Sequence, residues 1–261
     1  MTEVNKTLYI PLYGKSYVSK KGIILDDKKA EDIWSRVAFE LKGKSKSKWL
    51  AYYMGMRARV FDDWLRDKLR DNVDATVIHI GCGLDSRVER VGAAENLWYD
   101  VDFPEVIEER RRFYSENGSY KMISADIRNE GWLSEISDRL HAVVVMEGVS
   151  MYLTEEELGF VVSMLCRHFE QVSLLMDCYT TFAAKASEIK NPINDVGVTQ
   201  VYGIDNPKVI EPSGIRFIKE CDMTPARLTD QLSGMEKVIF RSVYGGRMSK
   251  KLYRLYEYKK I

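Results

Sequence analysis

Residues 77–85 of this chain read VIHIGCGLD. Four β-prone residues run into a Gly-x-Gly turn, and residues 84–91 predict a helix directly after it. A strand, a glycine turn and a helix in this order are typical of the first unit of a doubly wound α/β domain. Glycines suit such a turn because a Cβ there would collide with a nucleotide bound close to the backbone.

The chain after this turn continues the same alternation. Residues 97–102, LWYDVD, predict a second strand that ends in carboxylates, and Pro104 opens a predicted helix over 104–114. Further strands are predicted at 120–123, 142–146 and 172–177. The run AVVVM at 142–146 is apolar throughout, as expected of a central parallel strand that is buried on both faces.

Both ends of the chain add to this core. Apolar spacings over 30–41 and 49–69 predict helices, so residues 1–72 are expected to form a helical segment packed on an α/β core, 73–261, in one compact unit. Residues 42–48 predict a solvated basic loop. Residues 179–213 predict a lid of helix and loop over the strand ends. The remaining predictions are strands at 216–219, 238–243 and 252–258, the last at the sheet edge, and a helix at 225–232.

Composition excludes several classes of protein. With 39 basic and 39 acidic side chains the formal charge is zero, which predicts no long-range attraction to nucleic acid or to an anionic membrane. The four cysteines are widely spaced and form no Cys-x-x-Cys, a pattern that favours reduced thiols over disulfides or a metal site. The sequence has no signal-peptide pattern and no apolar run of about 18 residues. A cytoplasmic location is therefore expected.

The turn also discriminates between nucleotides. A dinucleotide fingerprint needs a third glycine, whereas this chain has Ser86 there, and Asp85 would repel a pyrophosphate. An adenosyl cofactor without phosphates fits better, and S-adenosylmethionine carries a cationic ammonium and sulfonium that carboxylates favour. Asp100 lies 19 positions after Gly81, a spacing at which a carboxylate can accept hydrogen bonds from ribose hydroxyls. A methyltransferase is therefore favoured over a nicotinamide enzyme.

Five motifs, in their order and spacing, resemble the leucine carboxyl methyltransferase family, and within it the tetracenomycin-type polyketide O-methyltransferase branch. They lie at 11–15, 57–62, 81–85, 101–104 and 147–153. A sixth, at 202–207, resembles a loop of the small-molecule branch. The resemblance implies a Rossmann-like, doubly wound, mostly parallel seven-stranded sheet of a class I S-adenosylmethionine-dependent methyltransferase.

The resemblance also implies roles for particular residues toward the cofactor. Lys15 and Arg59 match the basic groups that hold the methionine carboxylate, and Gly81 and Gly83 match the turn that lines the methionine portion. Asp102 matches the ribose-binding carboxylate. Asp100 is its nearest competitor for that role.

Further matches follow later strands. Asp126 and Ile127 are expected at adenine, and Glu147 matches an acidic contact to the cofactor ammonium. Structural alternatives stay open: Asp102 as a helix cap, Asp126 as a turn residue, and Glu147 paired with Arg57 because a buried carboxylate needs a partner. Tyr152 is expected either to face the substrate or simply to pack.

The predicted chemistry is methyl transfer to oxygen by alignment of the reactants, with no metal and no assigned catalytic residue. The three histidines, His79, His141 and His168, lie where strand or helix packing explains them, so the sequence offers no convincing general base. This favours a small-molecule acceptor that carries a carboxylate or an acidic hydroxyl, polyketide-like or aromatic. The alternatives are a protein C-terminal carboxyl methyltransferase and an inactive cofactor-binding module.

Overall fold

The computed structural model describes residues 6–92, 95–137, 140–187 and 200–261. Within them, seven strands form one sheet in the order β3-β2-β1-β4-β5-β7-β6. The strands are β1 Thr76–Ile80, β2 Trp98–Asp102, β3 Tyr120–Ser124, β4 His141–Met146, β5 Gln171–Tyr179, β6 Ile215–Glu220 and β7 Tyr253–Lys260. β7 runs antiparallel to both of its neighbours, β5 and β6, and the other neighbouring strands pair in parallel. The predicted doubly wound, mostly parallel seven-stranded sheet is confirmed.

Helices flank this sheet and precede it. The α-helices of the described residues are α1 Tyr9–Lys20, α2 Lys28–Arg36, α3 Lys48–Asp71, α4 Arg87–Val91, α5 Pro104–Arg110, α6 Glu155–His168, α7 Thr181–Ser187, α8 Ala226–Thr229, α9 Gly234–Val243 and α10 Gly246–Leu252. Short 3₁₀ helices lie at Gly43–Lys46, Glu130–Glu135, Ser150–Tyr152 and Pro207–Ser213. A capping box opens α6, with the side chains of Thr154 and Glu157 each bonded to the other's backbone. None of the described helices could cross a membrane.

The sheet order explains where a ligand can bind. β1 and β4 are adjacent and central, and every residue of β1 is buried. The chain leaves β1 toward β2 on one side and later returns to β4 on the other. In an open parallel sheet, such a switch leaves a crevice outside the carboxyl ends of the strands. The loops that follow β1, β2, β3 and β4 therefore meet at one edge.

The N-terminal helices close this edge. α1 packs against α3 and α2. One apolar core cluster joins residues of α1 and α3 with residues of β1 and β4, among them Leu12, Met56 and Val77. The boundary predicted at residue 72 stays a prediction.

The strand predicted at 238–243 is wrong, because these residues belong to helix α9. Its β-branched residues favoured a strand, but contacts to α3 determine the conformation. Glu236, Phe240 and Tyr244 are spaced by four, so helical winding places them on one face. From that face, Glu236 accepts a hydrogen bond from the Tyr52 hydroxyl at 2.6 Å, and the Phe240 ring lies 6.2 Å from the Tyr52 ring.

Two other predictions need correction. The last strand, β7, lies between β5 and β6 rather than at the sheet edge. Its residues 255–258 are buried, as expected of a strand with neighbours on both sides, and β6 takes the edge. The second correction is that four predicted helices are too long. The helix of 30–41 ends at Arg36, that of 104–114 ends at Arg110, that of 84–91 begins only at Arg87, and that of 225–232 covers Ala226–Thr229.

The predicted lid is only partly visible. β5 extends to Tyr179 and α7 follows it, whereas 188–199 lie outside the described residues. The 3₁₀ helix Pro207–Ser213 packs against α6 and β6 rather than over the strand ends.

Candidate active site

A cavity of about 910 Å³ lies at the carboxyl ends of the central strands, with α1 and α3 beside it. Two groups of residues line it. The loops after β1 to β4 form one part, which we call the strand-end half. Aromatic residues from other elements form the second part, the aromatic half: Trp49, Tyr53, Tyr152, Tyr179, Tyr244 and Tyr253.

The glycine turn after β1 forms the floor of the strand-end half. Gly81 and Gly83 have φ angles of 66° and 50°, the left-handed region that glycine adopts most easily. A Cβ on Gly81 would lie 2.1 Å from Cγ2 of Val149, in the loop after β4. The turn therefore requires glycine for its backbone angle and for space.

Asp102 ends β2 beside this turn and faces the cavity. Its carboxylate accepts hydrogen bonds from the backbone N–H groups of Gly83 and Phe103, both at 2.8 Å. It does not act as the N-cap of α5. Burial raises the pKa of Asp102 to about 6, against the opposite effect of the two N–H groups. The position agrees with the predicted ribose contact, which stays a prediction.

Asp100, the competing carboxylate, does not reach the cavity. It is fully buried and bound to the Arg110 guanidinium, to the Tyr120 hydroxyl at 2.7 Å and to the Trp98 indole at 2.8 Å. Asp100 and Asp102 point to the same face of β2, but two residues set them about 7 Å apart along the strand. Only the later one reaches the strand end. The structure thus corrects the prediction that includes Asp100 in the site.

Asp126 and Ile127, after β3, both line the cavity as predicted positions for an adenine contact. The Asp126 carboxylate accepts hydrogen bonds from the Arg128 side chain, at 2.9 Å from Nε, and from the Arg128 backbone N–H at 3.0 Å. The Arg128 hydrogen bond lowers the pKa of Asp126. Asp126 therefore stabilises its own turn by binding Arg128 and also lines the cavity.

A buried charge network forms the wall beside the turn. Glu147 accepts a hydrogen bond from Arg57 Nε at 2.9 Å and another from Arg87. Arg57 Nη1 also donates to Asp177 at 2.7 Å. Burial raises the pKa of Glu147, but the two guanidiniums outweigh it and hold the pKa at about 2. Glu147 is therefore a carboxylate that faces the cavity, in line with the predicted ammonium contact.

Lys15 and Arg57 are the basic residues that α1 and α3 bring to this wall. Lys15 is buried, lines the cavity and lies 3.0 Å from the Asp85 carboxylate. Arg57 lines the cavity next to Gly148. Both positions suit an anionic group such as a carboxylate.

Arg59, in contrast, points away. Its Nε pairs with Asp63 at 2.8 Å, its Nη1 donates to the carbonyl oxygen of Ile24, and it does not line the cavity. Two residues on a helix are separated by about 200°, so Arg57 and Arg59 take opposite faces of α3. The structure therefore corrects the assignment of Arg59 to the site. A signal for Arg57 was present: it follows Tyr53 by four residues, on the same buried face.

The aromatic half is built by ring contacts. The Tyr179 and Tyr253 ring centroids lie 4.5 Å apart, and Trp49 stacks on Tyr244 at 5.8 Å. The Tyr53 hydroxyl lies 2.8 Å from the Ser249 hydroxyl. Tyr152 was the member named from the sequence. The others come from α3, from the end of β5 and from the C-terminal region, and sequence spacing gives no indication that they meet.

The residues present fit an adenosyl sulfonium cofactor. The glycine turn at Gly81 and Gly83 lines the cavity, and so do the carboxylates of Asp102 and Glu147. The basic residues of the strand-end half are each paired with a carboxylate: Lys15 with Asp85, Arg57 with Glu147, and Arg128 with Asp126. That balance suits a cofactor without phosphates better than a pyrophosphate. No cluster of metal-binding side chains was found among the described residues.

Comparison with known proteins relates this chain to methyltransferases. The model of the family "Leucine carboxyl methyltransferase" matches residues 11–165. The chain is 29% identical to the tetracenomycin polyketide synthesis O-methyltransferase TcmP of Streptomyces glaucescens, over 91% of this chain and 89% of that protein. It is 26% identical to an S-adenosyl-L-methionine-dependent methyltransferase of Gibberella zeae, over 81% and 78%.

Solved structures support the fold. Magnesium protoporphyrin IX methyltransferase from Synechocystis, solved with bound SAH, superposes with a TM-score of 0.52 at 13% identity, over 95% of this chain and 97% of that one. An S-adenosylmethionine-dependent methyltransferase from Anabaena variabilis gives a TM-score of 0.52 at 12% identity, over 77% and 83%. At these identities the likeness concerns the fold.

Proposed function

We propose, from the premise that this chain belongs to the leucine carboxyl methyltransferase family, that it methylates an oxygen of a small, anionic, aromatic or polyketide-like acceptor. The family membership rests on a model match over more than half of the chain. The chain is an S-adenosylmethionine-dependent methyltransferase. The observation that carries the acceptor class is that the strand-end half and the aromatic half line one cavity.

The strand-end half would hold the cofactor. S-adenosylmethionine, when bound, supplies an electrophilic methyl group on a sulfonium. Arg57 and Lys15 would bind its carboxylate, Glu147 its ammonium, and Asp102 its ribose hydroxyls. Asp126 and Ile127 would meet the adenine. Arg57 replaces Arg59 in this assignment because only Arg57 lines the cavity.

The aromatic half would hold the acceptor. Six aromatic rings offer apolar faces to a planar molecule. Lys44 also lines the cavity, and it enters no ion pair among the residues the structure describes. A cation without a partner beside aromatic rings favours an acceptor that carries a carboxylate or an ionised hydroxyl.

The chain's own contribution would be to orient the acceptor and to exclude water. An ionised oxygen needs no proton removed, so no general base is required. His79 lines the cavity but is buried, burial and the Arg87 charge lower its pKa, and its ring contacts Arg87. It is thus placed as part of the charge network. Catalysis by alignment of the two reactants suffices for this chemistry.

Calorimetric titration with S-adenosylmethionine, with NADH as the control, tests the cofactor. Micromolar binding of S-adenosylmethionine without binding of NADH is expected. A screen of aromatic carboxylic acids and phenols would then test the acceptor class. Methylation of a peptide C-terminus with no turnover of small acids would favour the protein carboxyl methyltransferase alternative, and cofactor binding without any turnover would favour an inactive module.

Lys44→Ala tests the anionic acceptor directly. The substitution should raise the KM for an aromatic carboxylate by roughly fivefold to tenfold, because a charged hydrogen-bond partner is lost. The KM for a neutral phenol should stay unchanged. Lys42→Ala, on the same loop but outside the cavity lining, is the matched control. An equal effect of Lys44→Ala on both acceptors would contradict the proposed role.

The cytoplasm is the proposed location. All four cysteines are free thiols, and three of them are buried. Free thiols suit a reducing compartment.

A further inference from the structure

An apolar band faces solvent on three neighbouring helices, α7, α9 and α10. α10 packs against both α7 and α9, so their outer faces form one surface. The band consists of Phe182, Met235, Val238, Ile239, Val243 and Met248, which are 38–70% exposed. These are six of the eleven large apolar side chains that are exposed among the described residues. Apolar exposure is therefore concentrated on one side of the molecule.

Helix α9 is amphipathic, but most of its apolar side chains face solvent instead of the core. Met235, Val238, Ile239 and Val243 recur at helical spacing and face solvent, whereas Phe240 is buried. The helix also turns Glu236 inward, where it pairs with Lys48 at 2.8 Å. Intramolecular contacts thus leave the apolar stripe outward. A large exposed apolar patch of this kind marks an interaction surface.

Basic residues are concentrated in the segments that carry or adjoin the band. The segments 42–48 and 234–252 carry nine basic residues and one acidic residue, Glu236, in a chain whose formal charge is zero. The nine are Lys42, Lys44, Lys46, Lys48, Lys237, Arg241, Arg247, Lys250 and Lys251. The two segments are adjacent because Trp49 stacks on Tyr244. Asp230 pairs with Lys237 and Arg241, but Lys42, Lys46, Arg247 and Lys251 enter no ion pair among the described residues.

The same face borders the cavity. Lys44 and Trp49 beside the basic loop, Tyr244 and Leu252 on the α9–α10 side, and Ala186 on α7 all line it. The elements that carry the band outside thus form the aromatic half inside. A partner on this face would therefore lie close to the aromatic half of the cavity.

We propose that this face docks on the surface of an anionic lipid bilayer. The apolar band would enter the interface between headgroups and acyl chains, and the lysines and arginines of the segments 42–48 and 234–252 would bind the headgroup phosphates. An aromatic acceptor held at the bilayer surface would then lie next to the aromatic half. The zero net charge predicted no such attraction because it averages over the whole chain, and the basic excess here is balanced by acidic residues elsewhere.

The basic charge of this face disfavours a second copy of the chain or another protein as its partner. A symmetric contact with a second copy would place two basic surfaces face to face, because a two-fold interface uses the same patch on both subunits. Seven of the nine basic residues are lysines. Lysine is depleted at protein–protein interfaces. An anionic bilayer matches both the apolar residues and the lysines.

Co-sedimentation of the full chain with vesicles tests this docking. One set contains phosphatidylcholine and phosphatidylglycerol in equal parts, and the other contains phosphatidylcholine alone. We expect strong pelleting with the anionic vesicles, weak pelleting with the neutral ones, and loss of binding at high salt. No binding to anionic vesicles would overturn the proposal, as would equal binding to both sets.

Two variants locate the surface. The double substitution Val238→Glu with Ile239→Glu should weaken vesicle binding at least tenfold, and so should Arg247→Glu with Lys251→Glu. Phe160→Glu, at an exposed apolar residue on α6, is the matched control and should bind vesicles like the unaltered chain. Unchanged S-adenosylmethionine affinity in each variant verifies the fold. An equal loss in the control would overturn the assignment to this face.

Other occupants would give different results. A dimer in sedimentation velocity that the Val238→Glu, Ile239→Glu variant converts to monomer would overturn the proposal in favour of self-association. Binding to soluble polyglutamate that matches vesicle binding and is unaffected by that variant would overturn it in favour of an acidic protein. The experiment requires no turnover, so its result is independent of the proposed acceptor.

Discussion

At the scale of single residues, Arg57 is the side chain on which the site depends most. It joins the carboxylates of Glu147 and Asp177 inside the protein and lines the cavity. Removing it altogether would leave two buried carboxylates without this partner, at a cost of about 3–5 kcal/mol. A test of its binding role therefore requires a substitution that keeps the charge.

Arg57→Lys should weaken binding of S-adenosylmethionine by about 2 kcal/mol, because lysine lacks the forked donors of arginine. The matched variant Arg59→Lys should change affinity by less than about 0.5 kcal/mol, since Arg59 pairs with Asp63 at the surface. Calorimetric titration measures both. The assignment would be reversed if Arg59→Lys weakened binding and Arg57→Lys did not.

Asp102 should make cofactor binding depend on pH. Its pKa is raised by burial to about 6, so the carboxyl is protonated below that pH and ionised above it. Ribose hydroxyls that donate to the carboxylate favour the ionised form. Affinity should therefore rise with pH up to about 6, by as much as tenfold per unit, and be constant above it.

Asp102→Asn is the control for this pH dependence. The amide cannot ionise, so its affinity should be lower and flat from about pH 5 to 8. Titrations at several pH values with wild type and variant measure the difference. The same pH dependence in both proteins would exclude Asp102 as its origin.

At the scale of elements, the turn after β1 depends on the loop after β4. Gly81→Ala should be strongly destabilising and should abolish cofactor binding, because its Cβ would lie 2.1 Å from the Val149 side chain. Gly92→Ala is a matched control: its φ of 72° is similarly left-handed, but nothing lies within 4 Å of its Cβ. That substitution should cost about 1 kcal/mol through backbone strain alone.

Thermal unfolding of both variants separates crowding from strain. Val149→Ala added to Gly81→Ala should recover part of the lost stability, because it removes the atom that the Cβ meets. Equal destabilisation by Gly81→Ala and Gly92→Ala would show that crowding by Val149 is unimportant.

Element α9 shows how contacts override local preference. Val238, Ile239, Phe240 and Val243 have the composition of a strand, and a strand was predicted. The contacts of Glu236, Phe240 and Tyr244 with α3 require helical spacing instead. The partners lie nearly 200 residues away in the sequence, as the pair Tyr52 and Glu236 shows with a separation of 184. The local sequence pattern of α9 does not indicate partners that are so distant in the chain.

At the scale of the whole molecule, four titratable rings that line the cavity stay uncharged near neutral pH. Burial raises the pKa values of Tyr53, Tyr152 and Tyr253, and burial with the Arg87 charge lowers that of His79. With a carboxylate acceptor, kcat should therefore be constant from about pH 7 to 9. A phenol acceptor should instead show a rise that follows its own ionisation. A rise with a midpoint near the usual histidine pKa for the carboxylate acceptor would indicate a general base.

Many features of this protein could be predicted from its sequence alone. The alternation of strands and helices, the glycine turn at 81–83, the carboxylates after successive strands and the family membership were all predicted, and the fold and the family are confirmed. These features are local: residues close in sequence fix a strand, a cap or a turn. Parallel strand ends then bring the loops to one edge.

The tertiary structure decided what depends on the direction of a side chain or on distant contacts. It placed Arg57 rather than Arg59 in the cavity, because a helix sends residues two apart to opposite faces. It withdrew Asp100 into the core, inserted β7 between β5 and β6, and brought C-terminal tyrosines beside Trp49 and Tyr53. Residue type and spacing leave these outcomes open because packing between distant segments selects among them.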